Sequence, residues 1–265
     1  MPENNQFDIK KRITAARQTR KITRTMQLIA SSRLQRGKTQ LAHCQEWKKH
    51  MGEAVRCLSD SCFEPLEQAR ADSKIGYIVF GGSKGLSGSY SPTLLQYAKP
   101  KVKGHIIIAA GSAAEAFFSD AHSYLGDEAP SADYAKSITD IALRIYESKE
   151  VRAVYMIYTQ GSQHVTEQLL PLPRPEDEQS ISMITEPSAR VLRPVLYKEY
   201  AQLLVHEAHL RAFVAEQIAR VTAMDSATRN ADKIIENLQT TYNRIRQSSI
   251  TQEIITVSNA AKGDG

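Results

Sequence analysis

The stretch LRAFVAEQIARVTAMDSATRNADKIIENLQTTYNRIRQSSI, Leu210 to Ile250, decides the fold. Leu210, Val214, Ile218, Val221, Met224, Thr228, Ala231, Ile235, Leu238, Tyr242, Ile245 and Ser249 step by three or four residues without a slip. Such spacing lines them up on one narrow stripe of a helix, the width of a coiled-coil seam. No Gly or Pro lies between Val195 and Lys262, so nothing in the chain breaks that helix. At 1.5 Å per residue, roughly 65 residues would reach about 100 Å, far beyond what a domain of this size can cover. The stripe needs a second helix.

The other end of the chain supplies one. From Phe7 to Leu58, the residues Ile9, Ile13, Ala16, Ile22, Met26, Ile29 and Leu34 recur at mixed three- and four-residue steps. Gly37 and Gly52 cost this helix stability without ending it. The middle reads differently. The β-rich runs IGYIVF, HIIIAA and RAVYMIYTQ alternate with the helical patterns SPTLLQYA, SAAEAFFSD and SADYAKSITDIALRIYES. That alternation specifies parallel strands joined by crossover helices. A fourth run, VTEQLLPL, is expected at the sheet edge, before the Pro-rich acidic loop PLPRPEDEQS. The expected fold is thus a long antiparallel coiled coil of N- and C-terminal helices with a small inserted Rossmann-like α/β domain. Its boundaries fall at 1–58, 73–192 and 194–262. The C-terminal helix is the longer, so part of its stripe is left for some other partner.

Composition agrees with a folded, water-soluble chain: 265 residues, 42% hydrophobic and 24% charged. The apolar run HIIIAAGSAAEAFF is interrupted by Ser, Gly and Glu and is too short to span a bilayer. Cys44, Cys57 and Cys62 form no CxxC pair, which argues against a disulfide framework or a zinc site. The N-terminal MPENNQFDIKKRITAARQ lacks the apolar core of a secretory signal. The net charge of +5 is concentrated. Lys10, Lys11, Arg12, Arg17, Arg20, Lys21, Arg24, Arg33, Arg36 and Lys38 crowd one helix between Lys10 and Gln40, with no acidic residue among them. Pairing within the helix cannot neutralise this face, so it is left for solvent or an acidic partner.

Two other functions must be weighed. GGSKGLSGSY, Gly81 to Tyr90, follows a strand and precedes a helix, where nucleotide-binding enzymes place a phosphate loop. Its spacing fits neither template. There is no Gly-Lys-Ser/Thr, and Gly82, Gly85 and Gly88 give GxxGxxG instead of GxGxxG. The histidines show no HExxH or HxH pattern, and the nearest pair, His206 and His209, is expected on the surface of the long helix. Nor is there a G-x-S-x-G elbow. The second alternative is a basic coiled-coil nucleic-acid binder. The basic helix favours it, but aromatic interleaving, a helix-turn-helix and RNP-like strands are all missing.

Three stretches carry a family resemblance. RITAARQTRKITRTMQLIASSRL (12–34), KGLSG (84–88) and RVTAMDSATRNADKIIENLQTTYNRIRQSSITQEIITVSNAA (220–261) are similar to the γ subunit of F-type ATP synthases, the central rotor shaft. The turn departs from the family pattern, with Ser83 where an acidic residue is usual and Ser87 where Cys or Ala is usual. The resemblance implies a non-catalytic subunit with no catalytic residue, cofactor or metal of its own. One copy would stand with three α and three β subunits, the ε subunit and the membrane c-ring, without entering the bilayer or binding nucleic acid. The central insert with a regulatory cysteine pair known in chloroplast members is absent. With no apparent transit peptide, a bacterial member at the cytoplasmic face of the cell membrane is expected. Carried over position by position, the catalytic-subunit contacts are Met26, Lys84, Gly85, Leu86, Ser87, Arg246, Gln247, Thr251 and Glu253. Thr185, Glu186 and Pro187 resemble the foot that meets the ring and ε.

Overall fold

The first and last elements of the computed structural model are helices of unusual length, and an α/β sheet lies between them in the chain. The structure describes residues 2–56, 74–82, 85–126, 129–172 and 188–263. Helix α1 runs from Pro2 to Arg56 over 55 residues, with Pro at the position where its missing N–H is harmless. Helix α5 runs from Ala189 to Gly263 over 75 residues. It begins before the expected start at Pro194, which the helix absorbs near its N-terminus. The chain folds as two compact units, Met1–Ala30 with Arg220–Gly265, and Ser31–Ala219.

In the first unit α1 and α5 run antiparallel. Arg20 meets Asp232, Thr23 meets Thr228, and Gln27 meets Asp225. The α5 side of the seam is as the periodicity predicts, with Met224 and Ala231 buried and Thr228, Ile235, Leu238, Tyr242, Ile245 and Ser249 half-buried. The α1 side is not. After Ile9, Ile13 and Ala16 the buried row passes through Thr23, Gln27 and Ala30. The expected seam residues Ile22, Met26 and Ile29 are instead 59%, 37% and 42% exposed. The correction has a simple cause. A strict seven-residue repeat selects 9, 13, 16, 20, 23, 27 and 30, and at 16, 23, 27 and 30 it places Ala, Thr, Gln and Ala in the seam, ahead of the bulkier neighbours.

In the second unit the sheet has the order β3-β2-β1-β4-β5. Strand β1 (Lys74–Phe80) is central and pairs in parallel with β2 (Ile106–Ala110) and β4 (Val151–Gln160). Strand β3 (Ser123–Leu125) extends the β2 edge, and β5 (Gln163–Leu170) returns antiparallel to β4, at the edge as expected. Sheet position explains the sequence: β1 is covered on both faces, so its residues read as a continuous apolar run. Helices α2 (Tyr90–Val102) and α3 (Ser112–Phe117) cover one face, where Tyr77, Val79, Leu94, Ile107 and Ile157 form the core. Helix α4 (Ala132–Glu147), capped by the Ser131 side chain accepting from the Tyr134 N–H at 3.2 Å, covers the other. There Ile78, Ile108, Ile138 and Met156 pack against Tyr200, Leu204, Val205 and Ala208 of α5. Each buried Ile, Leu, Val or Met among them contributes about 1.5–3 kcal/mol. The start of α5 is therefore part of the α/β core as well as a coiled-coil strand.

Glycine 37 marks a close approach within this unit. A Cβ there would stand 3.1 Å from the Phe213 ring and 3.2 Å from Val214.

Candidate partner-contact surfaces

The glycine turn after β1 is shaped by packing. Gly81 N–H donates to Ala110 O at 2.9 Å, and Ala113 N–H donates to Gly82 O at 3.3 Å. A Cβ on Gly81 would lie 2.5 Å from that of Ala114, and one on Gly111, where φ is +95°, would lie 2.7 Å from Gly82 O. Any side chain here would push α3 off the sheet. The crevice at the strand ends, where a dinucleotide would lie, holds a cavity of only about 20 Å³ between Phe80, Tyr90, Tyr134, His209 and Phe213. That is room for one water, against the roughly 300 Å³ or more of a small-molecule pocket. Helix α5 fills the space, and Tyr90 Oη fastens it by donating to Ala212 O at 3.0 Å.

His206 and His209 belong to this packing, contrary to the surface position expected of them. His209 stacks on Phe80 with ring centres 5.5 Å apart and lies 4.8 Å from the Tyr134 ring. The Nδ1 atoms of both histidines are buried. Burial, with His206 adding repulsion, pushes the His209 imidazole down to about 3, so it is neutral in the fold.

Beyond the glycine turn, Leu86 has φ +69° and is 60% exposed, whereas Ser87 beside it is buried. Gly85 is exposed. Lys84 lies outside the described residues, as do Thr185, Glu186 and Pro187. These turn residues belong to the second compact unit. Met26, Arg246, Gln247, Thr251 and Glu253 belong to the first, all exposed. Thr251 Oγ1 donates back to Gln247 O at 2.9 Å, one helical turn before it. The same unit exposes apolar side chains that periodicity alone did not single out: Leu28 at 61%, Ile250 at 46%, Ile254 at 63% and Ile255 at 53%. The same unit has an open groove of about 540 Å³ lined by Arg17, Arg20, Lys21, Arg24, Thr25, Thr228 and Asp232. Of these cations Arg20 is held by Asp232 at 3.1 Å.

A charged cluster centres on the buried carboxylate of Glu207, and half of it is legible in the sequence. Glu207 of α5 accepts from Lys48 Nζ of α1 at 2.8 Å and from Arg211 Nε at 3.0 Å. The Glu207–Arg211 spacing of four is visible in sequence, but the third member, on a helix 159 residues earlier, is not. Nearby, Tyr158 Oη donates to Glu167 at 2.7 Å across the β4–β5 hairpin. Burial pulls the Glu207 carboxyl upward, but Lys48 and Arg211 outweigh it and hold the group below its ordinary range. Burial opposes the Lys48 charge, yet Glu207 holds that ammonium above its ordinary value. The pair's stabilisation is therefore present from above the ordinary carboxyl range up to the ordinary lysine range. It fades as pH falls through the Glu207 value or rises through that of Lys48. Burial also pushes the adjacent Cys44 thiol up to about 11, which leaves it protonated and inert. Among the described residues no group of three or more His, Cys, Asp or Glu is placed to hold a metal ion. No described helix is long and apolar enough to cross a membrane.

Comparison with known proteins places the chain. A family described as ATP synthase matches residues 5–263. The ATP synthase gamma chain of Ruminiclostridium cellulolyticum is 30% identical, over 97% of this chain and 98% of its own length. That of Exiguobacterium sibiricum is 32% identical over 96% and 97%. Among solved structures, a chain of the Euglena gracilis mitochondrial ATP synthase rotor superposes with a TM-score of 0.66 at 13% identity, covering 94% of this chain and 99% of that one. A second Euglena gracilis structure, of OSCP, F1 and c-ring, contains a chain that gives 0.68 at 14% identity, over 98% and 95%.

Proposed function

The chain belongs to the ATP synthase gamma-chain family, and from that premise we propose how this central-stalk rotor subunit meets its partners. It is a non-catalytic member of the complex. It couples ion flow through a membrane ring to the conformational cycle of catalytic subunits that surround it, by biasing their populations as it turns. One copy serves three α and three β subunits, with the ε subunit and the c-ring at the other end, on the cytoplasmic face of a bacterial membrane. The functional division is that read from sequence: 1–58 and 194–262 form the shaft, and 73–192 the α/β body.

The observation that carries this reading is the exposed apolar row Ile22, Met26 and Ile29 on a helix whose own seam is filled by Thr23, Gln27 and Ala30. Apolar side chains beside a complete seam are there for another chain. Met26 offers an unbranched, adaptable side chain to three successive partners. Arg246, Gln247, Thr251 and Glu253 give α5 a polar face for catalytic-subunit loops. Lys84, Gly85 and Leu86 present the turn to the same subunits, with Ser87 shaping it from beneath. Thr185, Glu186 and Pro187 are assigned to the ring and ε. The test is purification of the tagged chain from its host membrane. Recovery with the catalytic subunits, at one copy per three, is expected; recovery without them would refute the rotor assignment.

A further inference from the structure

We propose that Lys48, Glu207 and Arg211 form a torsional lock that fixes the register of α1 against α5, and that rotary coupling depends on it; this rests on the rotor reading above. The lock lies wholly within one compact unit, Ser31–Ala219. Lys48 occupies the seam row of α1, continuing the four-and-three steps through Leu34, Gly37, Leu41, Cys44, Met51 and Val55. Every other member of that run is apolar or glycine. Apolar contacts are non-directional, so a seam made only of them resists separation better than it resists sliding or rotation. A single charged residue at a seam position, satisfied by one partner, selects one register. Here the selection rests on the Lys48 bond, because the Glu207 side chain is only 5% exposed, while Arg211, four residues along the same helix, holds the carboxylate in place for it. Sliding α1 by one turn would break the Lys48 bond and leave Arg211 as the one cation on a buried carboxylate, a larger penalty than an exposed pair would incur.

The lock also faces the sheet edge. Glu167 of β5 is close enough to act electrostatically on both Lys48 and Arg211, and Tyr158 of β4 holds Glu167 in place. Two carboxylates and two cations thus balance where both long helices meet the β4–β5 hairpin. In a subunit that transmits turning force, a joint that holds angle matters more than one that only holds contact. Lys48 and Glu207 are positioning residues in this sense, remote from any reacting group.

The experiment uses the assembled complex in ion-tight vesicles, with ATP hydrolysis and ATP-driven ion pumping measured on the same preparation. The variant is Lys48→Met with Glu207→Leu, which removes one charge of each sign and leaves Arg211 beside Glu167. Apolar replacement of a buried ion pair commonly preserves stability, so assembly and melting temperature should be retained. Hydrolysis should stay near the wild-type rate, while ions pumped per ATP should fall by at least about fivefold, the low end of coupling between sites. The single variant Glu207→Gln, which keeps shape and one hydrogen bond to Lys48, should fall between the two. Wild-type pumping by the double variant would overturn the proposal. So would a large drop in its melting temperature, which would make the cluster a stability element and nothing more. If the wild-type chain fails to assemble with catalytic subunits, the rotor reading itself fails, a result separable from both.

Discussion

At the scale of single residues, His209 shows how a helix that reads as surface can carry a core group. Its ring lies between Phe80 and Tyr134, its Nδ1 is buried, and its basicity is depressed to about 3. Because the folded value lies below the ordinary 6.5, the unfolded chain takes up the proton first as pH falls. Stability is therefore whole above 6.5 and declines below it. At pH 4.5, two units below the ordinary value, the loss from this residue should be about 2–3 kcal/mol. His206, also shifted downward by burial, adds to it with the same sign. Replacing His209 with Phe keeps a ring against Phe80 and removes the titration. The melting temperature of the variant should fall less between pH 7 and 4.5 than that of the wild type. Parallel pH profiles would show the idea to be wrong.

At the scale of elements, legibility depended on whether a seam is written in large side chains. The α5 stripe from Met224 to Ser249 was readable because Ile235, Leu238, Tyr242 and Ile245 keep step with bulky residues. The α1 seam was not, since its positions hold Thr23, Gln27, Ala30 and Gly37 while bulky Ile22, Met26 and Ile29 sit one position away. Hydrophobic periodicity follows the bulky set, and between Ile22 and Ile29 that set faces outward. Strand β3 was missed because three residues, Ser123 to Leu125, cannot display an alternation. The glycine spacing departs from a phosphate loop, whereas what those glycines do, letting α3 pack against Gly81 while α5 fills the crevice, is tertiary and not written in the spacing. Gly37 makes the same point in a testable way. Propensity alone favours almost any replacement in a helix interior by up to about 1 kcal/mol. The 3.1 Å approach of the Phe213 ring reverses that. Gly37→Leu should lower unfolding free energy by about 2 kcal/mol or more in denaturant titration. A neutral or stabilising result would mean that the helices separate freely at this level.

For the whole molecule, the charge on α1 is the clearest sign that the chain is built for partners. Arg17 and Lys21, and Arg20 and Arg24, stand four residues apart, where like charges cost a helix about 0.2–0.5 kcal/mol per pair. Within the groove Asp232 offsets part of this and is already engaged by Arg20. Such a face costs the free subunit stability, a cost that an acidic partner surface would offset by neutralising several cations together. The consequence is a dissociation of two readouts. Replacing Arg17, Lys21 and Arg24 together with Gln should leave the melting temperature of the isolated chain unchanged or slightly higher. It should also weaken association with the catalytic subunits, mainly by slowing the encounter, because charge complementarity acts on steering more than on final affinity. The deficit should shrink as salt is raised, since screening at 1 M confines such fields to about 3 Å. Binding kinetics at low and high salt, with melting curves on the same samples, measure both. A triple variant that melts early, or one whose association deficit persists unchanged in high salt, would show that these residues support the helix pair itself and not a partner.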